Sequence, residues 1–133
     1  MFKLLNPSNT FFFINIIIKH FTSLLIIILP IGLIYSLWLS PVDYLQGDAV
    51  RIMYVHVPSA WLSLGCYAFI GLLSIISFLF KNKNFYLINK SLAPLGLMFT
   101  IIAIVTGSLW GQPTWGTWWA WDARLTSMLV LAL

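Results

Sequence analysis

LAPLGLMFTIIAIVTGSLW, residues 92–110, runs directly into GQPTWGTWWAWDARLT, residues 111–126. The first half is apolar and long enough to cross a hydrocarbon layer of about 30 Å as a helix. The second half changes character at once. Trp110, Trp115, Trp118, Trp119 and Trp121 are five of the chain's 7 tryptophans, and Asp122 and Arg124 follow them in a chain with only 8% charged residues. Gly111, Pro113 and Gly116 imply that the helix of the apolar run does not simply continue. From Trp115 onward the spacing turns helical. Trp115, Trp119, Asp122 and Thr126 share one helical face and predict a short interfacial helix. A row of indoles with one carboxylate suits a large, flat, apolar ligand with a few polar edges. The plainer reading is an aromatic belt at the membrane surface. A belt places one or two such residues at a helix end, and this stretch exceeds that.

Composition carries the membrane reading to the whole chain. The 133 residues are 61% hydrophobic, with a mean hydropathy of +0.97. Soluble domains carry about 25% charged residues, so this chain has too few to cover a soluble surface. The formal net charge of +4 rests on 7 basic residues, which form no clustered face of the kind nucleic acid requires. Cys66 stands alone inside an apolar run. With no C-x-x-C the chain is no dithiol oxidoreductase, and with no C-x-x-C-H it carries no thioether-linked haem. Cys66 reads as a small packing residue.

The expected architecture is an all-α integral membrane protein, a single membrane domain over residues 1–133. Spans are placed at about 21–39, 59–80 and 92–110, and 125–133 begins a fourth. Residues 1–20 read as an interfacial lead-in, with His20 a solvated flanking residue. Outer loops cover 41–57 and 111–124. In the first, Gly47-Asp48 looks like a helix start with Asp48 as N-cap, carrying Arg51 to His56. Pro58 then opens the second span and pushes Val57 to an extended conformation. His56 is therefore expected at a bend just outside that span. Lys3, Lys19, Lys81, Lys83 and Lys90 fall before span one or between spans two and three. The positive-inside rule puts them, and the N-terminus, on the cytoplasmic or matrix side. Both tryptophan-bearing and histidine-bearing loops then share the outer side. Arg51 and Arg124 are the basic residues that break the rule.

Trp115-Gly116-Thr117-Trp118-Trp119-Ala120-Trp121-Asp122 resembles the W-G-x-x-W-x-W-D signature of the WWD family of haem-handling proteins in cytochrome c biogenesis. Every fixed position is present. The continuation Ala123-Arg124-Leu125-Thr126-Ser127 is similar to the CcmC branch, the haem exporter protein C family, as is Arg51-Ile52-Met53-Tyr54-Val55-His56-Val57-Pro58-Ser59-Ala60-Trp61. The haem lyase and synthetase branches continue with a proline after the aspartate.

The resemblance implies a transport subunit, not an enzyme. It would present haem b transiently on the outer face of a bacterial or mitochondrial inner membrane and pass it to a haem chaperone, beside an ATP-driven complex. His56 would supply an axial ligand to the iron. Trp115, Trp118, Trp119 and Trp121 would supply apolar faces. Arg51 and Arg124 would meet the propionates. Two of these assignments stay open on the residues alone. Either arginine also serves as a lipid-headgroup anchor, and Asp122 serves equally as a helix cap or loop pin. The resemblance further implies six spans and a second axial histidine in a later outer loop. Neither is in this sequence, so the chain reads as C-terminally truncated. The competing functions are a structural subunit whose tryptophans only dock a partner or the interface, and a haem lyase-type WWD enzyme.

Overall fold

The computed structural model describes residues 7–81 and 83–133, with side chains from Phe12 onward except at Lys83. Helices make up the fold: α1 Pro7–Ile34, a π-helical segment Tyr35–Leu39, α2 Val50–Phe80, α3 Lys83–Trp115 and α4 Ala123–Ala132. Segments Phe12–Leu39, Val50–Phe80 and Asn84–Trp115 are each long and apolar enough to cross a membrane. The protein is an all-α integral membrane protein, with three long apolar helices and a short fourth among the described residues. It divides into two compact units, Met1–Ser40 and Pro41–Leu133.

Among its described residues the first unit is α1 continued by the π-helical segment. It passes straight through Lys19 and His20, where a lead-in was expected, and His20 Nδ1 lies 2.8 Å from the Ile16 carbonyl of its own helix. Pro30 stays inside it, as membrane helices allow. The π-helical segment ends at Ser40, whose ψ of 142° is the extended conformation imposed on a residue before proline, here Pro41.

The second unit is an antiparallel pair, α2 against α3, with α4 on the C-terminal part of α3. What is buried here inverts the soluble pattern. Ser63 and Thr100 are fully enclosed, and Ser59, Ala103 and Leu73 nearly so, while Leu62, Leu72, Phe78, Ile101 and Val105 face outward. Lipid is as apolar as a leucine side chain, so large residues gain little by turning inward. Small ones let backbones approach and hydroxyls find partners. Ser63 Oγ and Thr100 Oγ1 are 2.6 Å apart, and Thr100 donates to the Gly96 carbonyl at 2.7 Å. A Cβ on Gly96 would meet Cys66 Cβ at 3.4 Å. Cys66 thus packs at the seam, as its size suggested.

Two expected breaks are absent. α2 runs unbroken through Pro58, so His56 lies within the helix and not at a bend outside it. At 1.5 Å per residue α2 is roughly 46 Å long, well beyond the ~30 Å hydrocarbon layer. A helix of that length crosses the layer with turns to spare or with a tilt. Asp48 is not the N-cap either. That position is Ala49, without a side-chain cap, and Asp48 Oδ1 instead pairs with Arg51 Nη1 at 3.0 Å. α3 likewise continues through Pro113 to Trp115. Pro113 removes one bond in the last turn only, and Thr114 Oγ1 donates to the Trp110 carbonyl at 2.8 Å nearby. The actual stop is Gly116, left-handed at φ 74°, whose N–H bonds the Gln112 carbonyl at 2.9 Å.

Candidate functional site

The predicted single helical face of Trp115, Trp119, Asp122 and Thr126 does not form. Residues 116–122 are irregular, between the end of α3 at Trp115 and the start of α4 at Ala123. Thr117 ties the irregular segment down: its hydroxyl donates to the Trp119 carbonyl at 3.0 Å. The indoles therefore sort into two pairs. Trp110 and Trp115 sit edge to face on α3, centroids 5.0 Å apart, and Trp119 and Trp121 do the same on the irregular segment at 5.7 Å. Trp118 is exposed, and Trp121 is 80% exposed.

A cavity of about 450 Å³ opens between the N-terminal turns of α2, the C-terminal turns of α3 and the start of α4. Small-molecule sites span about 300–1,000 Å³. Met53, His56, Leu64 and Ile104 line it, with Trp110, Trp115, Arg124 and Met128. Of the residues predicted for the site, His56, Trp115 and Arg124 come together here. Trp118, Trp119, Trp121, Asp122 and Arg51 lie outside the lining. Arg51 is held by Asp48 on the preceding turn.

Each lining group has a structural reason for its place. His56 Nδ1 lies 3.0 Å from the Ala103 carbonyl and 3.1 Å from Thr106 Oγ1, so α3 anchors the ring. Gly107 makes room for it, since a Cβ there would stand 3.0 Å from His56 Cε1. Gly111 does the same for Trp115, whose Cε3 a Cβ would approach to 3.2 Å. Trp110 Nε1 donates to Gln46 Oε1 at 3.0 Å, which fastens the 41–49 loop beside the end of α3. That loop is itself closed by Asp43, whose Oδ2 accepts from Leu45 and Gln46 amides at 2.8 and 2.9 Å. Those two amides hold the Asp43 carboxyl below its ordinary pKa, Gln46 more than Leu45.

Arg124 lies 5.3 Å over the Trp115 ring and donates through Nη2 to Asp122 Oδ2 at 2.8 Å. The other oxygen, Oδ1, accepts from the Leu125 amide at 2.9 Å and caps α4. The Leu125 bond first, and Arg124 second, keep the Asp122 carboxyl below its ordinary pKa. Asp122 is thereby the cap and pin that its alternative reading foresaw. Thr106, Gly107, Gly111 and Gln46 were missed from sequence. The spacing of Ala103 and Gly107 along α3 was the available signal, since small residues four apart mark a face of close approach.

The group this arrangement fits is flat, apolar and anionic at one edge. Among the described residues no three His, Cys, Asp or Glu gather to hold a bare metal ion. An iron already ringed by four macrocycle nitrogens needs only an axial donor. His56 on an apolar wall could be such a donor, the Trp110 and Trp115 indoles could offer stacking area, and the Arg124 guanidinium at the rim could meet a carboxylate.

The comparisons with known proteins place the chain in a family. Residues 1–133 match the family model described as Heme exporter protein C. The chain is 48% identical over 106 residues to Heme exporter protein C of Escherichia coli, covering 80% of this chain and 43% of that one. To its counterpart in Bradyrhizobium diazoefficiens it is 41% identical over 133 residues, 100% of this chain and 50% of the other. A putative cytochrome c biosynthesis ccmC-like mitochondrial protein of Marchantia polymorpha is 49% identical over 96 residues, 72% of this chain and 42% of that protein. The chain thus spans half or less of the length of these relatives.

Proposed function

Because the chain belongs to the haem exporter protein C family, we propose that it handles haem for c-type cytochrome biogenesis, presenting it on the outer face of an inner membrane for transfer to a haem chaperone. The cargo is haem b, held transiently and not consumed, so the chain acts as a transport subunit without catalysing a reaction. Its partners are the chaperone, the ATP-driven subunits of the maturation system and the surrounding lipid.

One observation carries this reading: a histidine anchored through Nδ1 stands in an apolar cavity beside two indoles and an arginine. His56 is the axial ligand. Trp110 and Trp115 take the macrocycle face, and Arg124 a propionate. Trp118, Trp119 and Trp121 belong to the rim, where they extend the aromatic surface toward the chaperone. Arg51, on the same outer side and ion-paired with Asp48, serves the second propionate through its remaining donors. The lysine distribution supports the orientation, and the Gln46–Trp110 bond supports the outer loops sharing one side.

The test is optical. In the natural assembly, His56→Ala should alter the visible spectrum of bound haem, and added imidazole should restore it by filling the vacant axial position. A wild-type spectrum from His56→Ala would remove His56 as the ligand and leave the tryptophan stretch as a docking surface.

A further inference from the structure

Either ring nitrogen of an imidazole can bind a metal, and which one does so is set by what holds the other. Around His56 that choice is made by α3. Nδ1 faces the Ala103 carbonyl at 3.0 Å. A carbonyl only accepts, so Nδ1 carries the proton. Thr106 Oγ1 stands 3.1 Å from the same nitrogen and gives its own hydrogen to the Ile102 carbonyl at 2.6 Å. It therefore turns a lone pair toward Nδ1–H. With the proton on Nδ1 and shared between two acceptors, the lone pair of the neutral ring is on Nε2. Gly107 completes the seat, with its would-be Cβ 3.0 Å from Cε1, the ring carbon between the two nitrogens.

We infer that Thr106 is a positioning residue for haem: with the Ala103 carbonyl it fixes the Nδ1–H tautomer of His56, so that Nε2 is the coordinating nitrogen. This rests on the reading of His56 as an axial ligand. The Thr106 hydroxyl is already satisfied as a donor within its own helix, so α3 has no need of its acceptor side. The side chain it serves across the seam is His56. Ser63 and Thr100 use the same chemistry farther along that seam with no histidine present, where it is helix-to-helix adhesion alone. A hydrogen bond accepted from the far N–H raises the basicity of the ligating nitrogen. A more basic axial ligand favours the ferric state and lowers the reduction potential.

The test uses the natural membrane assembly, purified with haem bound. Thr106→Val removes the hydroxyl and keeps the volume. The reduction potential of the bound haem should rise, and haem retention should fall roughly ten-fold, the lower end for losing a partner behind a ligating histidine. Thr106→Ser should restore both. Thr106→Ala gives the same readout if the valine variant does not accumulate. Ser63→Ala, which removes a seam hydroxyl away from His56, should leave the potential at its wild-type value. Wild-type potential and retention in the Thr106 variants overturn the inference, as does an equal shift in Ser63→Ala. His56→Ala separates the two readings. If it alters the spectrum while the Thr106 variants change nothing, the ligand stands and the tautomer assignment falls. If it keeps the wild-type spectrum, the ligand assignment falls and the tautomer with it.

Discussion

His56 lies in the second turn of α2, yet its position is decided by α3, through the Ala103 carbonyl, Thr106 and the space above Gly107. That space is narrow. Gly107→Ala would force the imidazole to yield by a few tenths of an ångström, against a ligand geometry that needs holding to about 0.5 Å. The expected outcome is a shifted Soret band with normal protein accumulation, read in the purified assembly; an unshifted band would show that the ring is free to move. Asp122 gives the residue scale a pH dependence. Its carboxyl is held below the ordinary range by the Leu125 amide and Arg124, so the folded state favours the ionised form. The stability it contributes is fully present above the ordinary carboxylate pKa and is lost as pH falls through the lower folded value. Protection of the Leu125 amide from hydrogen exchange should hold from neutrality down to the ordinary carboxylate range and fall only below it. In Asp122→Asn that acid dependence should disappear.

At the scale of elements, α2 and α3 meet along small and hydroxylated residues, and the large ones face lipid. Shortening a seam residue is then mild and enlarging one is not. Ser63→Ala should cost about 0.6 kcal/mol, the typical worth of an interhelical hydrogen bond in a membrane protein. Ser63→Leu should cost about 1–3 kcal/mol, because the added atoms push the helices apart. Unfolding in detergent against a chemical denaturant measures both. The end of α3 makes a sharper distinction. Trp115 lines the cavity and lies under Arg124, whereas Trp119 packs on Trp121 outside it. Trp115→Ala should therefore lower haem retention more than Trp119→Ala, measured as haem per protein after purification. Equal losses would mean that the irregular segment closes over the ligand. Helical spacing read from the sequence put Trp119 on one face with Trp115, and Gly116 is why that face does not form: its left-handed turn resets the register between Trp115 and everything after it.

Across the whole molecule, the lysine asymmetry predicts which side each loop occupies. In a Cys66→Ser background, cysteines at Tyr44, which is 98% exposed, and at Gln112 should label from outside intact cells, and one at Asn84 should not. The reverse pattern would invert the orientation and put the cavity on the cytoplasmic side. Sequence alone determined that the chain is helical and membrane-embedded and roughly where its long helices lie, and it singled out His56, Trp115 and Arg124, which the fold brings to one cavity. These features depend on the length of apolar runs, on composition and on a local motif, all of which are written along one dimension. Tertiary structure alone decided that α2 passes through Pro58 and α3 through Pro113, that Trp110 and Trp115 face the cavity while Trp118, Trp119 and Trp121 do not, and that Thr106 holds His56. A proline removes one helical bond, and whether the helix survives depends on the bonds and packing around it. A cavity wall depends on which sides of two helices meet. Here that is set by Ser63 of α2 and by Gly96, Thr100 and Ala103 of α3, small residues whose close approach across the seam exists only once the helices pack.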